Sequence, residues 1–104
     1  MNDYLPVAKT SDFTDGVIRG FRVDGKDVAV VRWNDRYYAF QNACTHSNYY
    51  FNYLEIQDGG RILCDAHGAV FDLASGRVLT GPAANDLPLY QVRVDGEDVL
   101  VSFD

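Results

Sequence analysis

Sulfur and imidazole are scarce in this chain. Its 104 residues include two Cys, two His, one Met and one Trp. Two Cys cannot build a disulfide framework of the kind that staples small secreted domains. No run approaches the roughly 18 apolar residues of a membrane-spanning helix. The start, Met1-Asn2-Asp3-Tyr4-Leu5-Pro6, lacks the basic and apolar regions of a secretory signal, so a cytoplasmic protein away from the membrane is expected. Positive charge is short as well, with 9 Lys and Arg against 15 Asp and Glu, a net charge of -6. Nucleic-acid binding needs a basic face and is excluded on that ground. The deficit is uneven. Residues 1–36 balance, whereas residues 37–104 set nine acids against Arg61, Arg77 and Arg93 alone. An acidic half suits a basic partner, or simply solubility.

What is present is apolar and aromatic. The hydrophobic share is 47% and the aromatic share 13%, enough for one globular domain with a core of its own. The dominant period is two. Runs from Val17 to Val23 and from Asp27 to Trp33 meet at Asp24-Gly25. Asn34-Asp35 then leads into Arg36 to Phe40, which completes a three-stranded meander. Leu89 to Val94 and Asp98 to Phe103 form a second hairpin across Asp95-Gly96. Shorter strands are expected at Arg61 to Cys64, Ala69 to Leu73 and Arg77 to Thr80, punctuated by Asp58-Gly59-Gly60, Ser75-Gly76 and Gly81-Pro82. Tyr49 to Ile56 is the one stretch with room for a turn or two of helix, and it has no good cap. The pattern predicts an all-β barrel or antiparallel sandwich. A base of about residues 1–40 and 88–104 would carry a smaller insert of about 41–87.

Every Cys and His falls in two boxes. Cys44-Thr45-His46 is C-x-H, and seventeen residues later Cys64-Asp65-Ala66-His67 is C-x-x-H. Buried structural residues would not assemble in this way, and a Cys44–Cys64 disulfide would leave both His unexplained. The boxes therefore predict metal. A single Zn accepts Cys₂His₂ in a tetrahedron. A [2Fe–2S] cluster can take two Cys on one iron and two His on the other. Zinc fingers usually offer a Cys pair and then a His pair, whereas here each box offers one of each. Two opposed loops of that kind can each reach across a cluster.

The two boxes, with Gly68, Phe71-Asp72 and Ser75-Gly76 after them, resemble Rieske proteins. More narrowly, nearly the whole chain is similar to the small soluble Rieske ferredoxins of bacterial ring-hydroxylating dioxygenase systems, which act in aromatic hydrocarbon catabolism. The resemblance implies a Rieske iron–sulfur domain of stacked antiparallel sheets. It assigns Cys44 and Cys64 to the inner iron and His46 and His67 to the outer, exposed iron. It also implies a one-electron carrier rather than an enzyme, and a monomer is the default expectation. Such a carrier is reduced by a flavoprotein using NADH or NADPH and oxidised by the terminal oxygenase. The docking face would centre on His46 and His67, with the Gly81-Pro82 loop and Tyr49 or Tyr50 beside it. Asn48 stands where the family often has Gly. Respiratory Rieske proteins carry a further Cys in each box, a Ser after the His-Gly pair and a Tyr two positions on. This chain has no spare Cys, and it has Ala69 and Phe71 at the latter positions. A small Rieske-like subunit of a reductase, such as nitrite reductase, is the other assignment within the family, and a Zn-stabilised binding module the one outside it.

Overall fold

The computed structural model describes residues 4–42, 51, 54–64, 69–80 and 86–103. Among them are nine strands, one 3₁₀ turn at Thr10–Asp12 and no α-helix. The strands are β1 (Leu5–Lys9), β2 (Arg19–Val23), β3 (Lys26–Trp33), β4 (Arg36–Gln41), β5 (Arg61–Cys64), β6 (Ala69–Asp72), β7 (Val78–Thr80), β8 (Leu89–Asp95) and β9 (Asp98–Ser102). They form a six-stranded sheet in the order β1-β9-β8-β4-β3-β2 and a three-stranded sheet in the order β5-β6-β7, every described pairing antiparallel.

The meander follows from its turn chemistry. Asp24 and Gly25 both have positive φ, and so do Asn34 and Asp35. Two-residue loops of that kind match the right-handed twist of the flanking strands. In the last hairpin the loop sits one residue later than the sequence suggests. Asp95 still pairs with Asp98, and the loop is Gly96-Glu97 with Gly96 at φ 64.

Two expectations need correction. Tyr49 to Ile56 is not helical at its described residues. Ile18 N–H donates to the Leu54 carbonyl at 2.8 Å, Ile56 N–H donates to the Gly16 carbonyl at 2.7 Å, and Val17 bridges Glu55. The stretch instead runs beside the entry to β2, where pairing offers backbone partners that an uncapped helix lacks. The second is β1, which sequence periodicity passes over. Pro6 argues against a central strand, but β1 is an edge, bonded only to β9 and with its register broken between Pro6 and Ala8. An edge tolerates the missing N–H.

β3 explains how one small chain holds two cores. Val28, Ala29, Val30 and Val31 are all fully buried, which requires cover on both faces. Val28 and Val30 pack with Phe13, Ala39, Val99 and Val101 in the base. Ala29 and Val31 pack with Ile18, Phe40, Phe51, Ile62, Phe71 and Leu87 toward the three-stranded sheet.

The only Trp clamps the two sheets together. A Cβ on Gly60, which has φ +76, would lie 3.0 Å from the Trp33 ring. Gly60→Ala is therefore expected to cost about 1–2 kcal/mol from backbone strain and crowding. A lower urea midpoint together with altered Trp33 emission would register it; an unchanged midpoint would count against the clamp.

Tyr90 makes the fold sensitive to alkali, and the exposed Lys9 adds little to that. Hydrogen bonding and charge from Asp98 raise the Lys9 pKa above its ordinary 10.5, and burial raises Tyr90 above 10.0. Both shifts favour the protonated form in the folded state. The stability they support is intact below these ordinary values and is lost as pH rises through the folded ones. The urea midpoint should fall as pH rises above about 10, and a rise over that range would contradict the sign.

Candidate metal centre

Three connections leave the strands around one core, and two of them carry the boxes. The first spans residues 43–50, between the end of β4 and Phe51. Its two ends are tied, because Phe51 N–H donates to the Asn42 side-chain oxygen Oδ1 at 2.9 Å. Both residues are buried, at 4% and 1% exposure. Asn42 N–H in turn donates to the Asp27 carbonyl at 3.1 Å, which fixes the tie to β3.

The second connection joins β5 to β6. The hairpin register runs Arg61 with Asp72, Ile62 with Phe71, Leu63 with Val70 and Cys64 with Ala69. The backbone of Cys64 thus ends the ladder, and residues 65–68 close it. Ala69 and Phe71 are fully buried on one face, while Val70 and Asp72 alternate with them as partly exposed positions.

The third connection runs from β7 to β8. Val78 N–H donates to Asp86 Oδ1 at 2.9 Å, and Leu87 N–H donates to the Gly76 carbonyl at 2.6 Å. Before it, the Asp72 carboxylate accepts from the Ser75 hydroxyl at 2.7 Å and from the Ser75 N–H at 3.2 Å. Gly76 has φ +75, and a Cβ there would run into the Leu87 carbonyl oxygen. The Ser75-Gly76 pair noted in the sequence is therefore a rigid turn, set by the Asp72 side chain and by a position that only Gly fits.

Phe51 joins these parts. Its ring meets Phe40 of β4 edge-on at 5.8 Å and Phe71 of β6 at 6.4 Å. Phe51, Ala69 and Leu87, each close to an end of one connection, belong to the same buried cluster. Described residues that flank the two boxes, Phe51 and Ala69, thus share one packed core.

Of the predicted ligands, the structure places the backbone of Cys64 at the end of β5. Cys44, His46 and His67 lie outside the described residues, as do Asn48, Tyr49, Tyr50, Asp65 and the Gly81-Pro82 pair. Among the described residues no group of three or more His, Cys, Asp or Glu could hold a metal ion, so no competing site draws the metal elsewhere among them. The donor set fits a Rieske cluster: two thiolates for one iron and two imidazoles for the other, in boxes that flank a rigid base. Sequence reasoning missed Asn42. A buried polar residue two positions before the first Cys is a detectable signal, but its burial depends on the fold.

The ion pairs that the structure shows are Lys9 with Asp98, Arg22 with Asp27 and Arg32 with Asp15. All use cations from the first 36 residues. Arg22 and Arg32 pair with acids of the same segment, whereas Lys9 takes Asp98 from the acidic remainder of the chain, which includes both boxes. No helix among the described residues is long and apolar enough to cross a membrane.

The fold and the boxes together define an iron–sulfur domain, and comparison with known proteins gives the family. Residues 3–100 match the model of the Rieske [2Fe-2S] domain, and the chain belongs to that family. Its cofactor is accordingly one Rieske-type [2Fe–2S] cluster. The ferredoxin component of the naphthalene 1,2-dioxygenase system of Pseudomonas putida is 29% identical, over 94% of this chain and 93% of its own. Among solved structures, the ferredoxin of carbazole 1,9a-dioxygenase from Nocardioides aromaticivorans is 33% identical with a TM-score of 0.86, covering 94% of this chain and 95% of its own. A structure described as a complex of reduced oxygenase and oxidized ferredoxin in carbazole 1,9a-dioxygenase includes a chain 32% identical, with a TM-score of 0.84 and coverage of 95% and 92%. The expectation of a Rieske ferredoxin with an all-β fold is borne out, and Zn as the intended metal is set aside.

Proposed function

We propose that this protein is a one-electron carrier of a ring-hydroxylating dioxygenase system. On this reading it works in the cytoplasm as a monomer, between a flavin-dependent NAD(P)H reductase and a terminal oxygenase. The observation that carries the reading is the pair of Cys–His boxes set on one buried base, in a chain that its ferredoxin relatives match over nearly its full length. The cluster, when bound, takes up and releases a single electron. Cys44 and Cys64 would supply its thiolates, and His46 and His67 its imidazoles. The same assignment divides the chain into a base of about residues 1–40 and 88–104 and a cluster-binding part of about 41–87.

The protein's own residues then act by holding and tuning. The hairpin register holds Cys64 at a fixed strand end. The Asn42–Phe51 tie holds the ends of the first box. The four protein donors, with the cluster's own sulfides, would fill the coordination of both irons, so no site would be open to a substrate. Rieske potentials span roughly -150 to +300 mV, and hydrogen bonds and nearby charge decide within that range. Here Ala69, buried opposite Cys64, and Phe71, buried two positions on, carry no hydroxyl. Asp65 adds negative charge within the second box. Together they favour a potential near the low end, about -150 mV.

A redox titration of the holoprotein tests this reading. It should show one electron per chain near that value, and the pair Ala69→Ser with Phe71→Tyr should shift it upward. A wild-type potential well above zero would contradict a carrier tuned by missing hydroxyls, and so would a double variant with no shift.

A further inference from the structure

The closure of the first box does not follow from strand pairing. Strands β5 and β6 close the second box with backbone ladder bonds up to Cys64 and Ala69. At the first box the described ends are Asn42, just past β4, and Phe51, which lies in no strand. The bond joining them comes from a side chain, with Asn42 Oδ1 accepting the Phe51 N–H at 2.9 Å across nine positions. Asp86 makes an equivalent closure with the Val78 N–H at 2.9 Å. The two sites differ in burial and in charge. Asp86 is exposed and carries a carboxylate, whereas Asn42 is 4% exposed and carries a neutral amide. A buried charge is costly without a paired partner, whereas an amide provides the same acceptor without that penalty.

The tie has limited freedom to shift. Asn42 is anchored by its own N–H to the Asp27 carbonyl at 3.1 Å, and the neighbouring Gln41 N–H donates to the Pro88 carbonyl at 2.9 Å. Phe51 is anchored by its ring between Phe40 and Phe71. The amide therefore sets the separation of two points that are each fixed to a different part of the base. Closing an eight-residue connection has an entropic cost, and a buried bond at its foot offsets part of it.

We propose that Asn42 is a positioning residue for the first ligand box, resting on the ligand assignment above. It holds the ends of residues 43–50 at the spacing from which Cys44 and His46 reach the metal. Its contribution is geometric, and it is made by the oxygen of its side chain.

Two holoproteins compared with the wild type test the proposal: Asn42→Ala and Val99→Ala. Val99 is buried in the base core, outside the cluster that holds Phe51. The readouts are the rate at which an iron chelator bleaches the visible absorption, the EPR line shape after reduction, and the urea midpoint. Asn42→Ala should bleach about tenfold faster than the wild type, as expected for an unmet buried donor, and its EPR line should broaden or shift. Val99→Ala should lower the midpoint yet bleach within about twofold of the wild type, because it does not loosen the box locally. The proposal is overturned if Asn42→Ala behaves as the wild type. It is equally overturned if bleaching follows the urea midpoint alike in Asn42→Ala and Val99→Ala. A wild-type protein that takes up no iron and sulfide would instead remove the ligand assignment, before any variant is compared.

Discussion

Replacing Phe51 by Ala is expected to cost about 3–5 kcal/mol of stability, the range for emptying a buried aromatic site. The ring is 1% exposed and lies edge-on to Phe40 and Phe71, which belong to different sheets. Its removal takes away a shared contact of β4 and β6 and opens a void in the core beneath both boxes. Collapse of the site is limited because Phe40 and Phe71 are held by strand register on either side. A domain of this size has only about 5–15 kcal/mol of total stability, so the loss is a large fraction of it. Urea unfolding followed by far-UV circular dichroism would measure the effect. A loss below about 1 kcal/mol would mean that the two sheets do not depend on this ring.

The second large effect concerns chemistry rather than packing. On the proposed ligand assignment, Cys64→Ser should abolish the visible absorption of the holoprotein while leaving its strand-rich circular dichroism in place. The fold survives because Cys64 contributes to the ladder through its backbone, and Leu63 with Val70 and Ile62 with Phe71 continue the register behind it. The cluster is lost because a hydroxyl is a far weaker iron ligand than a thiolate. A coloured Cys64→Ser protein with a wild-type spectrum would show that Cys64 is not a ligand.

These two residues show what the sequence reveals and what it does not. The boxes are legible because ligand chemistry restricts residue type and spacing at once, and this chain has no other Cys or His to confuse the pattern. The meander is legible because Asp24-Gly25 and Asn34-Asp35 sit between alternating runs and adopt the positive φ those residues tolerate. β1 is not legible, since Pro6 disguises a strand whose edge position is known only once the sheet is assembled. Leu54 to Ile56 misleads for a related reason. Its partners, Gly16 to Ile18, lie far away in the chain, and local pattern gives no sign of them. Asn42 is the most instructive omission. Its role depends on a partner nine positions away and on burial by two sheets, and neither leaves a periodic trace.

Lys9, Arg22 and Arg32 are paired with acids from across the base. Exposed pairs of this kind contribute little to stability, and among them Lys9 draws on Asp98 from the acidic stretch after residue 36. A net charge of -6 favours a partner with a basic surface, with an association rate that falls as salt rises.

The central claim is that the two boxes of this chain hold one cluster with mixed Cys and His ligation. The most direct measurement is EPR of the dithionite-reduced holoprotein, with nitrogen hyperfine coupling resolved on the same sample. The predicted result is a [2Fe–2S] signal whose average g value lies below that of an all-cysteine cluster, with coupling to two imidazole nitrogens. A signal without nitrogen coupling would contradict that ligation, as would a colourless, EPR-silent protein containing zinc.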